Sequence, residues 1–223
     1  MELEQFISYL FRWIHFLAGV AWIGLLYYFN FVQTEYFKVA DGSAKADAIS
    51  KLVPRALWWF RFGALFTLLS GLALAYFLGS AVNFYITVGM LLGTLMFLNV
   101  WLIIWPNQKT VIASNEQVLG GGEALPNAAG ALAAAGLASR TNTLFSIPML
   151  FFMGASAHLG GYGRVPVLAE GNSMTALGLC VLIVLLLELN AIKGKMGPMA
   201  SVAGVIHLGL ALTAALFIIL QYL

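Results

Sequence analysis

Six long apolar segments divide this sequence, and they limit what the chain can fold into more than any other feature. A helix needs about 20 predominantly apolar residues to cross the hydrocarbon core of a bilayer. The six segments are approximately residues 6–32, 56–78, 84–105, 143–162, 174–192 and 200–222. Only 9% of the 223 residues are charged, which is too few to cover a water-facing surface. We therefore predict an all-α membrane helix bundle of about six transmembrane helices, forming a single integral membrane domain over residues 1–223.

Basic residues are distributed unequally between the two ends of the predicted helices. Nine of the eleven Lys and Arg residues fall at one end, and they are Lys38, Lys45, Lys51, Arg55, Arg61, Lys109, Arg140, Lys193 and Lys195. The opposite end has Arg12, near the start of the first helix, and Arg164 in a loop. Because basic connections stay in the cytoplasm, we predict that both termini face outward. The acidic start of the chain, with Glu2 and Glu4, argues against a cleaved signal peptide.

Residues 113–138 do not fit the pattern of long apolar segments. They contain three consecutive glycines at 120–122, Pro126 and an alanine-rich run at 128–138. This stretch is too weakly apolar to be a clear span, and Pro106 and Asn107 close the third helix ahead of it. We predict a Gly/Ala-rich cytoplasmic loop over residues 113–138 that is mobile or only locally helical.

The three histidines of the chain, His15, His158 and His207, all lie inside predicted spans. Ionisable residues are costly in a bilayer and are often functional there, although a histidine can also simply hydrogen-bond two helices together. At 1.5 Å per residue, His15 is about 14 Å and His158 about 6 Å from the outer end of its helix. These two could share the outer half of the membrane, whereas His207 starts nearer the inner half.

Small residues share a helix face with each histidine, and they include Gly19, Gly154, Gly161 and Gly204. Such faces would let a flat macrocycle approach the backbone, and they would equally serve helix packing. A structural zinc site usually has four ligands with cysteines among them. The single cysteine, Cys180, instead suits a small apolar residue within a helix. A copper site that uses Met149 and Met153 stays open as an alternative.

A b-type haem needs only one or two histidines and an apolar slot. We therefore predict that His15 and His158 bind one haem iron as axial ligands. His207 would form a separate site, as a hydrogen-bond partner, a substrate contact or the ligand of a second, five-coordinate haem. Arg12 lies one turn before His15 and could pair with a haem propionate, although it could equally extend to the outer headgroups. A bis-histidine iron would be low-spin and suited to electron transfer. Glu2, Glu4 and Glu170 would give a mildly acidic outer rim near that haem.

Other polar residues inside the apolar segments have more than one interpretation. Glu188 lies within a run of leucines, where it is either a functional intramembrane carboxylate or a group solvated near Lys193 and the inner interface. Asn99 and Asn190 are expected to hydrogen-bond neighbouring helices.

Three blocks of the sequence resemble the membrane-embedded N-terminal domain of the bacterial cytochrome-c-linked urate oxidases. They are residues 12–24, beginning Arg-Trp-Ile-His, residues 99–109, ending Trp-Pro-Asn-Gln-Lys, and residues 139–153, beginning Ser-Arg-Thr-Asn-Thr. The resemblance implies a bacterial inner-membrane domain linked to urate oxidation, with electrons passed to a cytochrome c. Together with the charge bias, an inner-membrane location places both termini in the periplasm. Full-length members of that family carry a C-terminal cytochrome c domain. This sequence ends at Leu223 without a Cys-x-x-Cys-His motif, so we expect a separate partner to carry the electrons.

Three functions are therefore considered. The first is a membrane redox protein of the urate-oxidase type that binds b-type haem. The second is a non-catalytic accessory subunit of a larger respiratory or photosynthetic membrane complex, and the third is a copper- or solute-handling membrane protein. The net charge of +2 gives no reason to expect nucleic acid as a partner, and the sequence has no Gly-rich nucleotide-binding loop.

The predicted topology can be tested by labelling. A cysteine introduced at Glu2 should react with a membrane-impermeant thiol reagent applied from the outer face, because nine of the eleven basic residues lie at the other end. Labelling of this cysteine only from the cytoplasmic face would contradict the topology.

Overall fold

A computed structural model describes residues 2–159 and 171–223, and for residues 171–173 it describes the backbone alone. These residues form a helix bundle, and no strand occurs among them, which confirms the all-α prediction. The helices are α1 (Leu3–Val39), α2 (Gly42–Lys51), α3 (Val53–Leu78), α4 (Phe84–Leu119), α5 (Ala128–His158), α6 (Gly171–Lys193) and α7 (Val202–Tyr222). The predictions that concern Gly161, Tyr162, Arg164 and Glu170 lie outside the described residues.

Five of these helices, α1, α3, α4, α6 and α7, are long and apolar enough to cross a membrane. The fourth predicted span lies in α5, which is more polar because residues 139–143 read Ser-Arg-Thr-Asn-Thr. Yet α5 is the central helix of the bundle, in contact with α1, α4, α6 and α7. Its polar run is surrounded by the apolar helices and is almost entirely buried.

The prediction that Pro106 and Asn107 close the third helix is wrong, since α4 continues as far as Leu119. A π-helical segment, Asn99–Ile104, precedes Pro106, which then occupies the first turn of the regular helix that follows. Proline is tolerated in a first turn because its missing N–H has no partner to lose there.

The prediction that residues 113–138 form a loop is also wrong. Only residues 120–127 between the two helices are non-helical, and the alanine-rich run forms the beginning of α5. Alanine is the best helix former, and Ala131, Ala135 and Ala138 lie on one buried face. The Leu125 N–H donates to Ser114 Oγ at 3.0 Å and ties the connection to α4. The run therefore extends the fourth predicted span toward the end of the bundle that has most of the basic residues, and it does not add a seventh span. That end is called the inner end below, and the opposite end, where α1 begins, is called the outer end.

Two helices are much longer than a bilayer is thick. The 37 residues of α1 and the 36 residues of α4 correspond to about 55 Å each at 1.5 Å per residue, against a hydrocarbon core of about 30 Å. Both project at the end that has most of the basic residues. There Asn115 of α4 donates to the Ala46 carbonyl at 2.9 Å and to Ser50 Oγ at 2.8 Å, which fastens α2 to the bundle.

The backbones of α1 and α3 approach each other closely along an antiparallel contact. A Cβ built on Gly63 of α3 would lie 3.1 Å from the Trp22 backbone nitrogen and 3.3 Å from the Ala18 carbonyl oxygen. Backbone atoms cannot move aside as a flexible side chain can. Gly63 is therefore the residue that allows this helix pair to form.

Replacing Gly63 with Ala should destabilise the protein by about 1–3 kcal/mol through overpacking against the α1 backbone. The measurement is the thermal unfolding of the detergent-solubilised protein. Gly24→Ala is the matched control, because a Cβ at Gly24 would meet nothing within 4 Å. Equal melting temperatures for the two variants would rule out the close α1–α3 contact.

Candidate functional site

The half-buried His15 ring lies at the contact between α1 and α3. Its Nδ1 atom is 3.1 Å from Ser70 Oγ. A Cβ built on Gly71 would lie 3.1 Å from the Cε1 atom of the ring, so the imidazole rests against the backbone of α3. No hydrogen bond within the described ranges involves Nε2, which leaves that nitrogen available to a ligand.

The other predicted site residues are exposed in the protein as it stands alone. His158 is the last residue of α5, His207 lies on α7, and both are exposed, as is Arg12. Arg12 shares an open groove of about 350 Å³ at the outer end of α1 with Glu2 and Glu4. No hydrogen bond connects two of the three histidines in the part of the chain that the structure covers.

The register of α1 against α5 relates the depths of His15 and His158. The helices run antiparallel and are joined by the Tyr27–Ser146 hydroxyl pair at 2.9 Å and by Asn30 Nδ2, which donates to Ser139 Oγ at 2.8 Å. His15 lies twelve residues before Tyr27, and His158 lies twelve residues after Ser146. Both are therefore about 18 Å outward from that contact, at a similar level.

His207 lies at a different level. Gly209 of α7 packs against the Ile147 side chain of α5, and Phe217 packs against Phe151 with ring centroids 5.5 Å apart. The two helices therefore run parallel, and this register puts His207 roughly 20 Å inward of His158. Such a separation keeps His207 away from any site shared by the other two histidines.

The faces of α1 and α5 that meet at the inner contact have exposed side chains farther outward. On α1, the continuation includes Phe16 and Val20, which are 67% and 74% exposed. On α5, it includes Leu150, which is 49% exposed. A Cβ built on Gly19 or Gly154 would meet nothing within 4 Å. The outer portions of the two helices, with Phe16, Gly19, Val20, Leu150 and Gly154, are here called the outer cleft, because a ligand held between α1 and α5 would contact these residues.

The outer cleft has features of a haem site. His15 borders it on α1 and His158 on α5, with the small residues Gly19 and Gly154 between them. The His15 ring is oriented by Ser70, while no described contact fixes the His158 ring. The cleft thus offers one oriented imidazole, one exposed imidazole and two glycines between them, which is a set of groups that a b-type haem can use.

The two methionines considered for copper serve packing. A Cβ built on Gly89 of α4 would lie 3.3 Å from the Met153 sulfur, and one built on Gly93 would lie 3.9 Å from the Met149 sulfur. Both thioethers thus fill the space between α4 and α5. No group of three or more His, Cys, Asp or Glu side chains that could hold a metal ion occurs among the residues described.

A buried polar layer connects α4, α5 and α6. Asn99 Nδ2 donates to Asn142 Oδ1 at 2.9 Å and to Glu188 Oε2 at 3.1 Å. Asn142 Nδ2 in turn donates to the Met96 carbonyl at 2.9 Å. Glu188 is only 8% exposed and is not paired with Lys193 or any other described cation. Glu188 is thus a buried intramembrane carboxyl, and the interpretation that the inner interface solvates it is wrong.

Both π-helical segments of the bundle occur beside buried asparagines. The segment Tyr28–Gln33 contains Asn30, and the segment Asn99–Ile104 begins with Asn99. Asn30 Nδ2 donates to the Leu26 carbonyl at 2.9 Å, and Asn142 satisfies the Met96 carbonyl near the second segment. Wide turns of this kind leave carbonyl groups that need other donors, and they are frequent at functional sites.

Arg140, which the sequence suggested for a cytoplasmic connection, lies instead within α5 and is only 4% exposed. Its Nη1 atom has no hydrogen-bond partner in the described part of the chain. The carboxylate of Glu35, which also pairs with Lys38 at 2.7 Å, is close enough to interact with Arg140 electrostatically. Arg140 is therefore not one of the basic residues that lie in connections between helices.

Sequence reasoning did not assign roles to Ser70, Asn142 or Ser139. Asn142 and Ser139 belong to a run of five polar residues beside an apolar segment, and this run was the available signal for a buried polar layer. Ser70 had no such signal, because a serine in an apolar helix commonly bonds only to its own backbone.

Comparison with known proteins identifies a domain. Residues 76–165 match the protein-family model described as urate oxidase N-terminal, so this part of the chain is a urate oxidase N-terminal-like domain, which confirms the resemblance for the blocks 99–109 and 139–153, while the block 12–24 lies outside the match. The matched range includes Asn99, Asn142 and His158, whereas His15 and Glu188 lie outside it. No curated protein and no solved structure matches the chain.

Replacing Asn142 with Ala should lower the free energy of unfolding by about 1–3 kcal/mol, because the Met96 carbonyl loses its side-chain donor and Asn99 loses an acceptor. The measurement is denaturant or thermal unfolding in detergent. Thr94→Ala serves as control, since the exposed Thr94 hydroxyl bonds only to the Met90 carbonyl of its own helix. A variant at Asn142 no less stable than the control would show that the polar layer does not hold the helices together.

Proposed function

We propose that this chain is a membrane redox protein of the urate-oxidase type that binds one b-type haem in the outer cleft and exchanges electrons with a cytochrome c. The match of residues 76–165 to the urate oxidase N-terminal family supports the redox assignment. The observation that carries the cofactor assignment is the His15 ring, whose Nδ1 is bonded to Ser70 while Nε2 has no described partner. A histidine that binds a metal through one nitrogen commonly bonds a second group through the other.

In this proposal His15 and His158 are the axial ligands of the haem iron. Their similar level along antiparallel helices favours a shared ligand, and Gly19 and Gly154 leave room beside them. Arg12 would pair with a propionate at the outer end, where it lies one turn before His15. With two histidine ligands the haem would supply one-electron transfer and not oxygen binding.

The outer position of the cleft suits exchange with a soluble partner. Glu2 and Glu4 lie at the outer end of α1 and border the same groove as Arg12. Carboxylates at this rim would attract a partner with lysines around its own haem edge, since complementary charge mainly speeds association. Glu170, the third acidic residue assigned to this rim, lies outside the described residues.

A second candidate function is an accessory subunit of a larger membrane complex. The observation that favours it is the outer cleft, whose exposed apolar side chains include Phe16 and Val20. A helix from another subunit could pack there in place of a cofactor. This alternative predicts a protein without a chromophore that co-purifies with its partner.

The absorption spectrum of the purified protein separates these functions. The wild type should show the sharp bands of a low-spin haem, and His15→Ala and His158→Ala should each lose them, because each substitution removes one axial ligand. His207→Ala is the matched control, because His207 is exposed on α7, roughly 20 Å from His158 along the bundle. The haem bands of this variant should therefore be the same as those of the wild type. A wild type without haem, or full low-spin bands in either of the first two variants, would overturn the proposal.

A further inference from the structure

Ser70 supplies a hydrogen-bond acceptor for His15, because its own hydroxyl hydrogen is used elsewhere. Ser70 Oγ donates to the Phe66 carbonyl at 2.6 Å, and the Thr67 carbonyl lies 3.1 Å from the same oxygen. A hydroxyl has one hydrogen and two lone pairs. Toward His15 Nδ1, at 3.1 Å, Ser70 can therefore only accept. The hydrogen of that bond therefore belongs to His15.

This bond selects one of the two tautomers of the imidazole. A neutral imidazole carries one N–H and one lone pair on its two nitrogens. With the hydrogen on Nδ1, the lone pair of His15 is on Nε2, the nitrogen that has no described partner. Histidines that bind metals through Nε2 require this tautomer, and an acceptor behind Nδ1 both fixes the ring and raises its basicity.

Gly71 sets how closely the ring can approach α3. A Cβ built on Gly71 would lie 3.1 Å from Cε1 of His15 and 3.5 Å from Nδ1, so an alanine there would move the ring by a few tenths of an ångström. Alanine is also a better helix former than glycine. Gly71→Ala should therefore displace the imidazole without weakening the helix itself.

We propose that Ser70 is a positioning residue that holds His15 as the Nδ1–H tautomer with Nε2 free for a ligand, and that Gly71 fixes the distance of the ring from α3. The role of the pair in ligand binding rests on the proposed function, in which Nε2 of His15 binds the haem iron. The tautomer itself depends only on the contacts of His15 with α3.

The tautomer can be measured directly in the full-length protein before haem is added. The chain has only three histidines, so protein labelled with ¹⁵N-histidine gives few ring signals, and His15→Gln identifies those of His15. The wild type should show Nδ1–H at His15. Ser70→Ala should shift the population toward Nε2–H, and Ser70→Thr should restore Nδ1–H because it keeps the hydroxyl.

Thr213→Ala is the matched control, because the Thr213 hydroxyl donates to the Gly209 carbonyl of its own helix at 2.8 Å and has no described hydrogen bond to a histidine. It should leave the His15 signals unchanged. A wild type in which His15 is the Nε2–H tautomer would overturn the proposal without reference to any variant, as would a Ser70→Ala protein with unchanged His15 signals.

The haem-loaded protein gives a second readout. Loss of the acceptor behind an imidazole ligand typically weakens metal binding roughly 10- to 100-fold, so Ser70→Ala should lower haem affinity by about that factor. The reduction potential of the haem in Ser70→Ala should rise, because a less basic imidazole stabilises the oxidised iron less. Gly71→Ala should also alter the reduction potential, because it displaces the His15 ring. Wild-type potentials in both variants would overturn the positioning role.

The outcomes distinguish this inference from the proposed function. If the wild type binds no haem but His15 keeps an Nδ1–H tautomer that depends on Ser70, the proposed function fails and the positioning by Ser70 stands. If haem binds through His15 while Ser70→Ala changes neither the tautomer nor the potential, the proposed function stands and the positioning fails.

Discussion

The hydrogen bond between Asn99 and Asn142 is the interaction on which the arrangement of the bundle depends. Residues 139–143 are polar, and an unpaired amide transferred to an apolar medium costs several kcal/mol. The hydrogen bond between the two asparagines, at 2.9 Å, avoids this cost, and it can form only if α4 lies directly beside α5. The bond from Asn99 to Glu188 brings α6 to the same point, and the bond from Asn30 to Ser139 brings α1. The central place of α5 thus follows from its polarity.

This inner attachment fixes α1 against α5 at one end only. Once Tyr27 and Asn30 have fixed α1 against α5, the remaining contacts of α1 are with α3, whose Gly63 allows the two backbones to approach. No hydrogen bond among the described residues joins α1 to α5 farther out, where Gly19 and Gly154 present no side chains. The two helices that border the outer cleft are therefore each fixed elsewhere, α1 against α3 and α5 at the buried polar layer.

The sequence predicted most of the spans because hydropathy reports directly on what a bilayer requires. It failed at Pro106, since a π-helical segment ahead of a proline has no clear sequence signal, and at the alanine run, since alanine has little hydropathy but high helix propensity. The depths of His15 and His158 were within reach of helix geometry. The bonds to Ser70 and between Asn99 and Asn142 were not, because contacts between residues far apart in sequence depend on the packing of whole helices.

Electron paramagnetic resonance of the oxidised, purified protein tests most directly whether His15 and His158 bind the same iron. Two imidazole ligands produce a low-spin ferric signal whose g-values differ from those of iron with one histidine. We predict a single bis-imidazole species at one haem per chain. A high-spin signal, or a purified protein with no haem iron, would contradict it.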